Sequence, residues 1–130
     1  MTTIDHAGAA DLLDRYGRAW EGFDGDAWTA LFTEDAEYHA DPFEPALVGS
    51  NAIRAYLSEA SRRQGQVEFT AERHWVAEST VLAVWHASYV RTTDQARVRL
   101  AGFMTMEIAA DGRIGRLREW WHRRESDAAG

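Results

Sequence analysis

The apolar residues of this chain follow a helical period in its first half and a strand period in its second half, and this change constrains the fold most. Up to about residue 60 they recur every three or four positions, which is typical of amphipathic helices. From Val67 onward, β-branched and aromatic residues fill segments that are separated by turn residues. Helices followed by antiparallel strands indicate an α+β domain with its helices on one side of the sheet.

Three helices are predicted in the first half. The first has its apolar stripe between residues 12 and 23, and Asp26 then stands at the N-cap position of a short second helix. Residues 49–51 supply a turn and a cap for the third helix. Two prolines in the segment 41–45 favour extended backbone, so a short strand is expected to end in a loop there.

The second half predicts an antiparallel meander. Its strands are expected at residues 67–75, 81–91, 96–108 and 113–122, with a tight hairpin at Asp111-Gly112. In the third of these strands the apolar residues occupy even positions, so Met104 and Met106 are expected to face inward. Two methionines side by side form either an adaptable pocket wall or part of an ordinary core.

The last strand places a carboxylate among apolar residues. Its alternation groups Leu117, Glu119 and Trp121 on one face. Because an unpaired buried charge costs several kcal/mol, an inward Glu119 must be paired, protonated or close to solvent at a pocket mouth. The alternative is a flipped or edge-exposed strand in which Glu119 pairs with a surface arginine.

Composition excludes several classes of function. With 130 residues and 45% hydrophobic content, residues 1–130 are expected to form a single domain. The net charge of −7 disfavours nucleic acid and anionic membranes as partners, and the absence of an apolar span or a signal-like start predicts a cytoplasmic protein. The chain has no Cys, and all 14 basic residues are Arg, which excludes thiolate nucleophiles, disulfides and lysine Schiff bases.

Several short motifs carry a resemblance to a known family. Residues 16–20, 25–26, 31–36, 41–43 and 49–54 resemble the opening of the nuclear transport factor 2-like superfamily, in its SnoaL-like and ketosteroid isomerase-like branch, and residues 111–114 and 117–121 resemble its last hairpin. The resemblance implies a cone-shaped, curved antiparallel sheet packed on three N-terminal helices around an apolar pocket. It also implies a homodimer formed through the outer face of the sheet, which the outward Trp120 would suit.

The ketosteroid isomerases of this superfamily suggest roles for three residues. By that resemblance Asp41 is the candidate general base, although an Asx turn that stabilises its own loop is an equally common use of such a residue. Tyr16 lies near the position of the tyrosine that holds the enolate oxygen. The second donor position falls on Met104, whose thioether does not donate a hydrogen bond, so that two-donor site is incomplete.

Other members of the superfamily suggest further candidates. Glu119 matches the acid in the final strand of the epoxide hydrolases, but the strand that should supply its partners has no Arg or Asp between its ends. His74 and His86 lie on strands where scytalone dehydratase-like members carry the histidines that they use. His39 precedes Asp41 by two residues, and a His-Asp pair relays protons.

Two hypotheses follow for function. The first is a cofactor-independent cyclase, isomerase or hydrolase for a hydrophobic oxygenated molecule such as a polyketide or terpenoid. Its catalytic residues would be Asp41, Tyr16, His39 and Glu119, and its substrate-binding residues Trp20, Phe43, His74, Trp85, His86, Met104 and Trp121. The second is a binding module without chemistry. Two or more converging carboxyl or imidazole groups favour the enzyme, and one isolated acid favours the binder. No metal site is expected, because no His pair has ligand spacing.

Overall fold

The chain forms a six-stranded curled sheet with three helices packed on one side, as seen in a computed structural model that describes residues 4–126. The helices are α1 (His6–Glu21), α2 (Gly25–Ala30) and α3 (Ser50–Ser61). The strands are β1 (Phe32–His39), β2 (Leu47–Val48), β3 (Gln64–Ala77), β4 (Thr80–Arg91), β5 (Arg97–Ile108) and β6 (Ile114–Ser126). The predicted α+β class and cone-type fold are confirmed.

The start of α2 differs in detail from the one predicted. The N-cap of α2 is Asp24, whose Oδ1 accepts a hydrogen bond from the Ala27 amide at 3.1 Å. Asp26, the predicted cap, lies inside the helix and pairs with Arg54 at 2.8 Å. The N-cap of α3 is Gly49, within the predicted turn and cap at residues 49–51; its φ of 91° favours glycine, and no side chain caps this helix.

The strand order places β6 inside the sheet. The order is β2-β1-β6-β5-β4-β3, in which β1 and β6 run parallel and the other neighbours are antiparallel. The last strand is therefore hydrogen-bonded on both sides. This pairing brings β1, which follows the first two helices, next to the strand that carries Glu119.

The predicted inward faces are confirmed by burial. In β5 the even positions from Val98 to Ile108 are buried apart from Gly102, which is half-buried. In β6 Leu117 and Glu119 are buried on the same face, while Arg118 and Trp120 on the other face are exposed. The helices cover this inner face, and the space between them holds the cavity described below.

None of the helices within residues 4–126 has the length and apolar character needed to cross a membrane.

Candidate functional site

A cavity of about 300 Å³ lies between the helices and the inner face of the sheet. Most of its walls are aromatic or aliphatic, and its polar groups come from Tyr hydroxyls, one carboxyl, one amide and three guanidinium groups. The lining residues are Tyr16, Trp20, Trp28, Tyr38, Tyr56, Leu57, Ala60, Arg63, Gln64, Trp85, Tyr89, Arg91, Leu100, Glu119, Trp121 and Arg123. A concave space with aromatic walls into which polar groups converge is typical of a small-molecule site.

Glu119 and two tyrosines form the polar centre of the cavity. The Tyr16 hydroxyl donates to Glu119 Oε2 at 3.5 Å, and the Tyr16 and Tyr38 hydroxyl oxygens are 3.3 Å apart. Helix α1 positions Tyr16 on its buried stripe, and β1 positions Tyr38 at the inward parity beside β6. Three distant segments of the chain thus bring one carboxyl and two hydroxyls together.

The environment of Glu119 favours its protonated form. Glu119 is buried, with 6% of its surface exposed to solvent. Burial raises the pKa of Glu119 to about 8, and hydrogen bonding by the hydroxyls of Tyr38 and Tyr16 opposes that shift. At neutral pH the cavity therefore holds a carboxylic acid, which both donates and accepts hydrogen bonds.

The neighbouring tyrosines stay protonated. Burial, followed by the charge of Glu119, raises the pKa of Tyr16 and of Tyr38 well above the ordinary value, and both causes also raise the pKa of Tyr56. The positive charge of Arg63, which also lines the cavity, lowers the pKa of Tyr56. The site is rich in neutral O–H donors.

Two tryptophans shape the aromatic wall. Trp20 Nε1 donates to Gln64 Oε1 at 2.9 Å, and the Trp20 ring meets the Trp85 ring edge-on at 6.3 Å. Trp85 lies across Gly102, where an added Cβ would be 2.6 Å from the indole. Its Nε1 is buried and has no hydrogen-bond partner among residues 4–126. This part of the wall thus contains a buried donor that no described residue uses.

Five of the residues predicted for the site line the cavity: Tyr16, Trp20, Trp85, Glu119 and Trp121. The remaining six do not line it, and their surroundings explain why. Asp41 is exposed and its Oδ1 accepts a hydrogen bond from the Phe43 amide at 2.8 Å, which is the Asx turn named as the alternative. Phe43 is 93% exposed in the same loop. Asp41 and Phe43 were expected at the cavity, and the structure places both outside it.

The three histidines expected at the site also lie outside the cavity. His39 follows the inward Tyr38, so it faces the other side of β1, where its Nε2 lies 3.0 Å from Glu37 Oε1. His86 is exposed on the outer face of the sheet with Glu72 2.8 Å away. His74 stacks on the ring of His6 at 3.9 Å. Each has a local partner that accounts for its position.

Met104 is a core residue and is absent from the cavity lining. It is fully buried on β5, and its partner across the ladder is Glu119. Met104 therefore lies on the same inner face as the acid without forming part of the pocket surface. The reading of Met104 as an ordinary core residue is the one that the packing supports.

Several lining residues were missed in the sequence. Tyr38 shares the inward parity of Ala36 on β1, and Arg123 continues the parity of Glu119 and Trp121, so strand alternation contained a signal for both. Tyr56 lies on the face of α3 that also buries Ile53 and Leu57, so helical spacing contained a signal for it. No local pattern distinguished Arg63, which follows the end of α3, from the other surface arginines.

Comparison with known families identifies the chain. A family model described as the SnoaL-like domain matches residues 13–117, which is most of the sequence. The chain belongs to the SnoaL-like family. This SnoaL-like chain has no significant match among curated proteins.

Solved structures share the fold of this SnoaL-like protein at low identity. The epoxide hydrolase/cyclase-like enzyme SalBIII, with a role in pyran ring formation in the polyether salinomycin, is 20% identical over 91% of this chain and 93% of its own, with a TM-score of 0.79. The Δ5-3-ketosteroid isomerase of Mycobacterium sp. is 14% identical over 92% and 98%, with a TM-score of 0.76. A computationally designed 17-OHP binder is 16% identical over 92% and 98%, with a TM-score of 0.77.

Proposed function

We propose that this SnoaL-like protein is a cofactor-independent acid-base enzyme that acts on a hydrophobic, oxygenated small molecule, such as a polyketide or terpenoid. One observation carries the proposal: the buried carboxyl of Glu119 lies within hydrogen-bond reach of Tyr16 in the wall of an aromatic cavity. A carboxyl with a pKa of about 8 is protonated at neutral pH and is suited to general acid catalysis.

The hydroxyl pair directs the proton of Glu119 toward the substrate. When Tyr38 donates to Tyr16 and Tyr16 donates to Glu119, the carbonyl side of the acid is occupied. The acidic O–H is then the group left for a substrate oxygen, such as that of an epoxide or a ketone. Once the proton has moved, the hydrogen bond from Tyr16 stabilises the carboxylate.

A single acid favours isomerisation or cyclisation over hydrolysis. In an intramolecular epoxide opening, Glu119 gives a proton to the epoxide oxygen while a hydroxyl of the same substrate forms the new C–O bond. The proton released by that hydroxyl returns to the Glu119 carboxylate, so substrate and product are isomers. Hydrolysis requires a second base to hold water, and no other carboxyl and no imidazole among residues 4–126 lines this cavity.

The same count supports a second candidate, a small-molecule binding module. One isolated acid meets the criterion stated for a binder, and a carboxylic acid beside two hydroxyls recognises an oxygen acceptor without reacting with it. The designed 17-OHP binder is a SnoaL-like fold neighbour whose described activity is binding. The two candidates differ in whether a bound molecule is converted.

Turnover of variants distinguishes the candidates. A panel of hydroxy-epoxides and unsaturated ketones with apolar bodies is incubated with the wild type, Glu119→Gln, Tyr16→Phe and Asp41→Asn, and products are separated by chromatography. We expect Glu119→Gln to lower kcat by about 10²–10⁴-fold, the usual contribution of a general acid, and Tyr16→Phe to lower it less. Asp41→Asn is the matched acid-to-amide control and should keep wild-type turnover, since Asn supports the same turn.

Two outcomes contradict the enzyme. Wild-type turnover by Glu119→Gln would remove Glu119 from the chemistry. Tight binding of panel members by the wild type with no conversion of any of them would favour the binding module.

A further inference from the structure

The mouth of the cavity carries positive charge that no carboxylate among residues 4–126 balances. Arg63, just after α3, and Arg123 on β6 both line the cavity, and both are exposed to solvent on their outer side. Within residues 4–126, neither guanidinium forms an ion pair, whereas seven other arginines do. Five further arginines in this part of the chain also lack an ion pair, and what distinguishes Arg63 and Arg123 is that both line one cavity, in a chain whose net charge is −7.

The third arginine that lines the cavity, Arg91, differs from these two because carboxylates of the protein neutralise its charge. Arg91 is bound by Asp94 at 2.8 Å and by Glu125, so its charge is met from within the protein. Asp94 and Glu125 are thereby engaged with Arg91, and among residues 4–126 neither pairs with Arg63 or Arg123. Arg63 and Arg123 are left to meet an anion from outside.

Neighbouring side chains add donors without acceptors. Trp20 donates to Gln64 Oε1, and this bond fixes the orientation of the Gln64 amide. The NH₂ group of Gln64 has no hydrogen-bond partner among the described residues. Deeper in the wall, Trp85 Nε1 is a buried donor without a partner. Buried polar groups in proteins are nearly always hydrogen-bonded, so an unpartnered donor in a cavity wall indicates a ligand acceptor or water.

We infer that the ligand of this cavity is an amphipathic carboxylate, with its apolar body against the tryptophans and its acidic end between Arg63, Arg123 and the Gln64 amide. The assignment of a reacting oxygen next to Glu119 rests on the proposed function. The recognition of the carboxylate at the mouth is independent of it, since it depends on the charges and donors of Arg63, Arg123 and Gln64 and not on Glu119.

The expected energetics follow from exposure. A single exposed ion pair contributes little, but a carboxylate that accepts from two guanidinium groups and an amide forms several charge-assisted hydrogen bonds. We expect a preference of about tenfold for a carboxylate over its neutral isostere. The preference should weaken as salt is raised, because charges at the mouth are screened.

The test uses pairs of probes that differ in charge and keep their shape. Each pair is an arylalkanoate and its primary amide, taken from phenylalkanoates of graded length and a methoxy-substituted naphthylacetate. Affinities are measured by titration calorimetry at low and high salt. The wild type should bind the best carboxylate about tenfold tighter than its amide, and the double variant Arg63→Gln/Arg123→Gln should bind the two about equally.

The matched control variant removes two positive charges outside the cavity. Arg99 and Arg124 face each other across β5 and β6, outside this cavity and without ion pairs among residues 4–126. Arg99→Gln/Arg124→Gln should keep the preference for the carboxylate. Equal affinity of acid and amide in the wild type, no binding of any carboxylate in the panel, or a preference that survives in Arg63→Gln/Arg123→Gln would each overturn the inference.

One further variant separates this inference from the proposed enzyme. Glu119→Gln leaves Arg63, Arg123 and the Gln64 amide in place, so it should change the affinity for an acid and for its amide by the same factor. Loss of the proposed catalysis together with an intact charge preference would leave a carboxylate-binding cavity. If Glu119→Gln abolishes turnover but the wild type binds acid and amide equally, the proposed enzyme stands and its substrate is not a carboxylate.

Discussion

Glu119 combines a protonated carboxyl with a position that only the folded chain creates. Its two hydroxyl neighbours lie on α1 and β1, at sequence distances of 103 and 81 residues, and its desolvation depends on the helices covering β6. In the unfolded chain it is an ordinary glutamate with a pKa near 4.5, and in the folded chain the pKa is about 8. The difference links stability to pH.

The first prediction is a fall in stability between these two pKa values. Because the folded pKa is the higher one, the favourable contribution is complete below pH 4.5 and is lost as the pH rises toward 8. From pH 4.5 to 7 we expect the unfolding free energy of the wild type to fall relative to Glu119→Gln by on the order of 3 kcal/mol. Urea unfolding of both proteins at stepped pH measures this difference, and a difference independent of pH would contradict it.

Strand alternation predicts which face of β6 carries Glu119, but it gives no information about the direction of Asp41. Glu119 sits in a regular strand, where a two-residue period fixes the face of every side chain. Asp41 lies past the end of β1 in a segment with two prolines, where backbone direction changes and parity no longer applies. The family resemblance supplied Asp41 as a base, but it could not supply the turn that directs its carboxyl to the Phe43 amide.

At the scale of elements, β5 contains a position where the absence of a side chain is required. Gly102 lies opposite Trp85 on β4 and Trp121 on β6 in the ladder. A Cβ there would approach the Trp85 ring to 2.6 Å and the Trp120 carbonyl oxygen to 2.7 Å. The indole that lines the cavity lies flat across the sheet because position 102 is glycine.

The second prediction follows from this contact. Gly102→Ala should lower the unfolding free energy by about 1–3 kcal/mol, since overpacking in a well-packed interior forces side chains and backbone to move. Gly115→Ala in β6 is the control, because a Cβ at that position meets its nearest atom at an ordinary 3.7 Å. Thermal melts compare the two variants, and equal melting temperatures would contradict the steric argument.

Element types were predictable from the sequence, and element starts were less so. The four long strands and three helices follow from hydrophobic period, which sums over many residues. The cap of α2 depends on a choice between Asp24 and Asp26, two identical side chains two positions apart. The positive φ of Phe23 just before Asp24 is a local backbone feature that residue type does not indicate, and it moves the start of the helix.

At the scale of the molecule, the outer face of the sheet has an apolar row. Val84, Phe103 and Trp120 are neighbours across β4, β5 and β6, the rings of Phe103 and Trp120 are 6.5 Å apart, and Trp120 is 42% exposed. We propose that this row is the contact of a homodimer. Exposed apolar patches of this kind are common at protein interfaces.

The third prediction is that a charge in this row dissociates the dimer. Trp120→Glu should elute and scatter light as a monomer under conditions where the wild type is a dimer, because two carboxylates would be buried across a symmetric contact. Phe43→Ser removes a more exposed ring from a loop away from the row and should stay dimeric. A wild type that remains monomeric at high concentration would contradict the dimer.

The position of β6 between β1 and β5 also has a consequence for how the protein is made. Synthesis proceeds from the N-terminus, so β1 and β5 each present an unpaired edge until the final strand has left the ribosome. A nascent chain that stops before Ile114 has neither its central strand nor its acid, and it exposes two open edges to other chains. The protein is thus most prone to aggregate before β6 has emerged, and pairing of this strand with β1 and β5 removes the hazard.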